Sequence, residues 1–250
     1  MRIFVTGANG FLGNYLIPEL LKRKYEVIAT GKGKCRIKVT DTFVYEEMDF
    51  TNVQSVNHVF STYKPEVIVH AGAISKPDEC EDNRELAFDI NTQGTINLLK
   101  AAKPLNSFFI FISTDFVFDG LKGMYNEKDS PTPVNYYGQT KLLAEEKVKE
   151  YVGEWSIVRT VLVYGRPQMG RENLLTLVKK KNENGEVFKV FTDQLRTPTY
   201  VEDLASAIVS IIDNKANGIF HISGVDQLSP YEMVIKMADL FGLNKELILP

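Results

Sequence analysis

The chain alternates two hydrophobic rhythms. Short apolar runs rich in β-branched and aromatic residues occur at Arg2–Thr6, Tyr25–Thr30, Glu66–His70, Ser107–Ser113 and Trp155–Thr160. Runs this continuous predict strands that are buried on both faces. Longer amphipathic stretches separate them, at Phe11–Lys24, Asn52–Tyr63, Arg84–Lys103 and Val134–Tyr151, and these predict helices. In the third, Leu86, Ile90, Ile96, Leu98 and Leu99 supply the apolar positions. Pro18 is expected to bend the first helix or disturb its first turns. Strands and helices in alternation predict an α/β protein, with a parallel sheet covered by helices on both faces. Beyond about residue 165 the rhythm loosens. Helices are expected at Glu172–Asn182, Val201–Asn214 and Pro230–Phe241, and strands at Val187–Phe191 and Gly218–Ile222.

Composition narrows the function classes. The chain has 250 residues, 44% hydrophobic and 24% charged, which are the proportions of a globular protein. Its 29 basic and 32 acidic side chains leave no basic field for nucleic acid. No run of about 18 apolar residues is present, so no membrane span is expected. The two cysteines, Cys35 and Cys80, form neither a CxxC pair nor a metal-ligand set, which fits a reducing, cytoplasmic setting.

The first βα junction carries Thr6-Gly7-Ala8-Asn9-Gly10-Phe11-Leu12-Gly13. Glycines here permit a tight turn and close backbone approach to a pyrophosphate at a helix N-terminus. A junction could use glycine for geometry alone. Placement after the first strand of a βαβ unit favours dinucleotide binding and a Rossmann-type doubly wound sheet. The second strand runs into Lys32, Lys34 and Arg36 and ends without a carboxylate. An acid there would hydrogen-bond a ribose 2′-hydroxyl, whereas cations suit a 2′-phosphate. NADP(H) is therefore preferred, with NAD(H) as the second candidate.

Tyr137 and Lys141 stand four residues apart on a predicted helix and share a face. A neighbouring ammonium favours a phenolate, so Tyr137 is expected to exchange a proton near neutral pH. Thr114 ends the fourth strand, where α/β sheets bind ligands, and completes a carbonyl-polarising set with Tyr137 and Lys141. His70 reads as a packed strand-end residue. The acidic run Asp78–Glu85 reads as a helix start and not as a metal site.

These pieces resemble the extended short-chain dehydrogenase/reductase superfamily, and within it the dTDP-4-dehydrorhamnose reductase family. The resemblance is carried by TGANGFLG (6–13), MDFTN (48–52), HAGA (70–73), DINTQGT around Asn91, STDFVFDG (113–120), YYGQTK (136–141), VRTVLVYG (158–165), RTPTYVEDLA (196–205) and GIFHISG (218–224). It implies NADPH-dependent reduction of the 4-keto group of a nucleotide-linked deoxysugar. Tyr137 would protonate the carbonyl oxygen, Lys141 would bind the nicotinamide ribose, and Thr114 would hydrogen-bond the carbonyl. Gly7, Asn9, Gly10, Phe11, Leu12 and Gly13 would hold the cofactor with Lys32 and Lys34. Asp49 and Phe50 would line the adenine pocket, Ala71, Gly72 and Ala73 would flank the pyrophosphate and ribose, and Asn91 would support the site. Asp115, Phe116 and Arg196 would face the substrate, with Arg196 directed to its diphosphate.

Phe116 stands where the family usually has tyrosine. The basic turn and the segment 229–243 also resemble the regulatory β-subunit family of methionine adenosyltransferase, a non-catalytic NADP-binding alternative. A nucleotide-sugar epimerase or dehydratase would use the same Tyr and Lys. The superfamily commonly forms homodimers, an assembly that these residues neither require nor exclude. Residues 1–165 are expected to form the NADP(H)-binding domain. Residues 166–250 are expected to form mainly a smaller C-terminal substrate lobe, with elements returning to the first domain and a C-terminus shorter than is usual in the family.

Overall fold

A computed structural model describes residues 1–39, 42–168 and 172–250. Its strands are β1 (Arg2–Thr6), β2 (Glu26–Gly31), β3 (Val44–Glu47), β4 (Val67–His70), β5 (Phe108–Thr114), β6 (Trp155–Thr160), β7 (Val163–Tyr164), β8 (Phe188–Lys189), β9 (Thr199–Tyr200), β10 (Gly218–Ile222) and β11 (Ile248–Leu249). The helices are α1 (Gly13–Lys22), α2 (Val53–Tyr63), α3 (Pro77–Asp82), α4 (Arg84–Phe88), α5 (Gly94–Ala102), α6 (Tyr136–Lys149), α7 (Leu174–Glu183), α8 (Val201–Asn214) and α9 (Pro230–Phe241).

Seven strands form the central sheet in the order β10-β6-β5-β4-β1-β2-β3, every pair parallel. The strand order reverses between β1 and β4, which opens a crevice beyond their carboxyl ends. Thr6 and His70 are register partners at that point. Alternation along the strands divides the core. Ile3 and Val5 face Leu16, Ile17 and Leu20 of α1 and Leu204 and Ile208 of α8. Phe4 and Ile68 face the other way, onto Val56 and Phe60 of α2, Leu98 of α5 and Ala144 and Val148 of α6. This doubly covered parallel sheet is the Rossmann-type α/β architecture.

The last third of the chain divides its contributions. α8 covers one sheet face and β10 extends the sheet. α7, α9, β8 and β11 share a separate core of Val178, Val190, Val234, Met237, Ala238 and Ile248.

Three expectations change. α1 runs from Gly13 to Lys22 with Pro18 inside it. The single helix expected over 84–103 is α4, a π-helical turn at Asp89–Gln93, α5 and a 3-10 turn. The wider turn shifts the helical phase, and Leu86, expected on the buried stripe, is exposed. β3 was not expected, because VYEE is short and half-exposed with no apolar run. The strand expected over 187–191 contracts to β8, which pairs with β11. Among the described residues, no helix is long and apolar enough to cross a membrane, and no His/Cys/Asp/Glu group could hold a metal.

Candidate active site

The glycine loop is shaped by contacts that leave no room for side chains. Gly7 adopts φ +67°, and a Cβ there would lie 2.8 Å from the Ala71 carbonyl and the Gly72 nitrogen. A Cβ on Gly13 would meet the Ala8 carbonyl oxygen at 2.3 Å. The loop therefore rests on the segment after β4 with α1 drawn close behind it. Gly10 N–H donates to the Gly7 carbonyl at 2.8 Å. Leu12 sits at the N-cap of α1 with αR backbone, and the Phe11 ring packs edge-on against Tyr15. At the start of α1 the Asn14 N–H is held by the Gly10 carbonyl at 3.3 Å and the Tyr15 N–H by the Leu12 carbonyl at 3.0 Å. This backbone cradle at the start of α1 fits a dinucleotide pyrophosphate.

Side chains tie the neighbouring loops to the cradle. The Thr6 hydroxyl pairs with His70 Nδ1 at 2.6 Å and accepts from Gly72 N–H at 3.3 Å. The Thr95 hydroxyl engages His70 Nε2 at 3.1 Å. His70 is fully buried, and burial holds its imidazole well below the ordinary value. It packs the strand end, as its position suggests. The Phe50 ring fills the space beside Gly72 and Gly94, where a Cβ on either would approach within 2.5 Å and 2.4 Å respectively. Asn97 fixes this loop by donating to the Phe50 and Thr51 carbonyls.

The basic turn is pinned by Asn9. Its amide donates to the Lys34 carbonyl at 3.1 Å and to the Tyr45 hydroxyl at 2.8 Å, and its oxygen accepts from Arg36 N–H at 2.8 Å. The sequence shows no acid at the end of β2, but β3 and the loop after it bring two. Lys32 pairs with Asp49 at 2.8 Å, and Glu47 accepts from Gly33 N–H at 3.1 Å. Burial opposes ionisation of Asp49, yet Lys32 and Thr51 hold its carboxyl below the usual value. Lys32 thus has a carboxylate partner that a 2′-phosphate would have to replace.

β5 and α6 bring Thr114, Tyr137 and Lys141 together. The Asn135 side chain caps α6 by accepting from Gly138 N–H at 2.8 Å. A Cβ on Gly138 would lie 2.1 Å from the Phe116 carbonyl oxygen, so only glycine lets α6 sit this close to the turn after β5. The Thr114 hydroxyl donates to Asp115 Oδ1 at 3.2 Å and accepts from Phe116 N–H at 3.3 Å, and it lies near enough to the Tyr137 phenol to lower its pKa. Lys141 Nζ donates to the Ile112 carbonyl at 2.8 Å and lies 3.9 Å from the centre of the Phe111 ring. Asn91, turned inward by the π-helical segment, clamps Ile74 through both its backbone groups and donates to Thr140 Oγ1 at 3.0 Å. Thr140 in turn donates to the Tyr137 carbonyl. Ala71 and Gly72 pack against Gly7 of the glycine loop, and Ala73 precedes the clamped Ile74 in the chain.

The electrostatics correct one expectation. Burial pushes the Tyr137 phenol above its ordinary value, Thr114 lowers it and Asp115 raises it, and Lys141 is not among the causes. In the ligand-free chain Tyr137 is a neutral phenol, because desolvation outweighs the ammonium expected to ionise it. Lys141 itself is pushed down to about 7 by burial, against Glu145 and Cys80. Between about 7 and its ordinary 10.5, the unfolded chain binds this proton more tightly than the folded one. Stability of the ligand-free protein therefore gains from this group as pH rises through that window. Urea denaturation at neutral and alkaline pH should show wild type gaining relative to Lys141→Met as pH rises. A constant difference would contradict the account.

Arg196 and Asp115 close the far side. Arg196 bridges to Leu228 through the backbone, and its Nη2 pairs with Asp115 Oδ2 at 3.0 Å. Its guanidinium stacks 4.7 Å from the centre of the Phe116 ring, which also meets the Tyr137 ring edge-on. Burial raises the Asp115 carboxyl against the pull of Arg196. Arg196 Nε is buried with no hydrogen-bond partner among the described residues. Phe116 therefore makes an apolar wall where a tyrosine would offer a hydroxyl.

Sequence reading missed Thr140, Asn97, Tyr45 and the buried Glu145–Arg159 pair. Glu145 was detectable, since it repeats the four-residue spacing from Tyr137 to Lys141.

A family model described as the RmlD substrate binding domain matches residues 1–250. The chain is 32% identical over 255 residues to methionine adenosyltransferase 2 subunit beta of Bos taurus, covering all of this chain and 75% of that one. It is 32% identical over 249 residues to the spore coat polysaccharide biosynthesis protein SpsK of Bacillus subtilis, covering 99% of this chain and 82% of that one. Among solved structures, dTDP-4-dehydrorhamnose reductase of Bacillus anthracis in complex with NADP superposes with a TM-score of 0.87 at 31% identity, covering all of this chain and 83% of that one. On the whole-length match and these relatives, the chain belongs to the RmlD substrate binding domain family.

Proposed function

We propose that this chain is an NADPH-dependent reductase that converts the 4-keto group of a nucleotide-linked deoxysugar to an alcohol, in the manner of dTDP-4-dehydrorhamnose reductase. The observation that carries the reading is the convergence of Thr114, Tyr137 and Lys141 beside the glycine cradle, at the carboxyl edge of the sheet. A bound reduced nicotinamide would supply hydride to the sugar carbonyl carbon. Tyr137, held as a neutral phenol, donates its proton to the carbonyl oxygen. The developing alkoxide is a stronger base than a phenolate, so the proton moves downhill even from a phenol of raised pKa. Thr114 orients the carbonyl, and Lys141 carries its ammonium to the nicotinamide ribose. Gly7, Asn9, Gly10, Phe11, Leu12 and Gly13 shape the pyrophosphate cradle, and Asp49 and Phe50 wall the adenine side. Lys32 and Lys34 receive the 2′-phosphate, with Lys32 leaving Asp49. Arg196 leaves Asp115 to grip the substrate diphosphate, a task suited to a bidentate guanidinium. The unit of α7, α9, β8 and β11 serves as the substrate lobe.

A panel of nucleotide 4-ketosugars incubated with NADPH and with NADH tests the reading. NADPH oxidation with dTDP-4-dehydrorhamnose supports it, and no oxidation with a cofactor-binding preparation overturns it. Lys32→Ala combined with Lys34→Ala should weaken NADPH binding about tenfold and leave NADH binding nearly unchanged, the scale of lost charge-assisted contacts. Equal weakening of both cofactors would remove the 2′-phosphate assignment.

The likeness to methionine adenosyltransferase 2 subunit beta favours a second reading, an NADP-binding regulatory subunit. Tight NADP binding, a stable partner enzyme on co-purification and no turnover would favour it.

A further inference from the structure

Glu145 lies one helical turn beyond Lys141 on α6 and is fully buried. Its carboxylate accepts from Ser113 Oγ at 2.6 Å, Arg159 Nε at 3.0 Å and Arg159 Nη2 at 2.6 Å. Arg159 is only 2% exposed. Burying an ion pair strips both partners of water, so such a pair is a poor source of net stability. Its position is more informative. Two consecutive residues of β5 each hold one side chain of α6. The Ile112 carbonyl takes the Lys141 amine and the Ser113 hydroxyl takes Glu145, while Thr114, next along the strand, faces Tyr137. The Glu145 link thus lies one residue along β5 from the Lys141 link and next to Thr114.

We propose that Glu145 is a positioning residue for the Tyr137–Lys141 pair, holding α6 in register on β5 and placing a carboxylate one helical turn from Lys141. Its consequence for turnover rests on the reductase reading above; its effect on Lys141 does not.

The groups that face Lys141 allow the effect to be isolated. On α6 these are Glu145 and Tyr137. Cys80 comes from α3 and His70 from β4, and Arg159 of β6 stands behind Glu145. Asp115, on the turn after β5, faces Tyr137 and is engaged by Arg196. Burial pushes the Cys80 thiol up and His70 down, which leaves both neutral near pH 7. Glu145 is the carboxylate that supports the Lys141 ammonium against burial.

The test is the titration of Lys141, followed by NMR in the full chain carrying ¹³C-labelled lysine, with Lys141→Met assigning the signal. Glu145→Gln should lower the Lys141 titration by about one pH unit or more, the scale of a lost nearby charge. Glu145→Gln/Arg159→Met removes both buried charges, so it should fold where the single variant does not. It should lower the titration by less, because the repelling guanidinium is also gone. A purely structural role gives the opposite sign, since a loosened α6 admits water and moves Lys141 up toward 10.5. An unchanged or raised titration in whichever variant folds overturns the proposal. In turnover, the alkaline limb of kcat/KM should move in the same direction. A lowered titration in a protein that reduces no ketosugar would leave Glu145 in this role and remove the reductase reading instead.

Discussion

Replacing Tyr137 by phenylalanine is expected to cut kcat by about 10³-fold, within the range for removing a positioned proton donor. The change removes one oxygen from a side chain that is 7% exposed. The ring keeps its edge-on contact with Phe116, and the Asn91–Thr140 clamp reaches the Tyr137 backbone, which the variant retains. Folding and NADPH affinity should therefore stay near wild type while turnover falls. Stopped-flow or steady-state oxidation of NADPH, with fluorescence titration of the cofactor, separates the two effects. Turnover close to wild type would show that another group protonates the sugar.

The second large effect is expected at Gly138. Adding one methyl there places a Cβ 2.1 Å from the Phe116 carbonyl oxygen, which is backbone and cannot rotate away. The same Cβ would lie 2.9 Å from the Phe116 carbonyl carbon and 3.0 Å from Pro133 Cβ. α6 must then move off the turn after β5, carrying Tyr137 away from Thr114. Overpacking of this kind destabilises by about 1–3 kcal/mol. A displacement near an ångström at the reacting groups can cost about 10²-fold in rate. Gly138→Ala should thus lose both stability and kcat. The cofactor cradle is built mainly from β1, α1 and the loop after β4, so NADPH binding should be affected least. Denaturant titration and the same kinetics check this. An alanine variant with wild-type turnover would mean that the approach of α6 to the turn has no bearing on the reaction.

Much of this arrangement was legible because it follows from local rules. The strands that pair β1 with β2 and β4 are continuous apolar runs, and the glycine loop sits where a βα junction requires it. Tyr137 and Lys141 share a helix, so a four-residue spacing was enough to place them on one face. Other features depend on contacts between residues distant in sequence. Asp49 follows a half-exposed edge strand that no apolar run announces, yet it lies against Lys32 and alters the reading of the basic turn. The π-helical turn at Asp89–Gln93 is invisible to a 3.6-residue period, though it directs Asn91 to Ile74 and Thr140. The proton state of Tyr137 was misread for a related reason. Sequence spacing reports a neighbouring ammonium but not burial, and burial is the larger effect at this phenol.

We propose that this site delivers hydride from a nicotinamide to a sugar carbonyl, with Tyr137 as the acid. The most direct measurement uses NADPH carrying deuterium at the transferable position of nicotinamide C4, with dTDP-4-dehydrorhamnose as substrate and mass spectrometry of the sugar product. A product with a single deuterium at sugar C4 is expected, formed by wild type and almost absent with Tyr137→Phe. A product without deuterium, or unspent NADPH beside unchanged ketosugar, would contradict it.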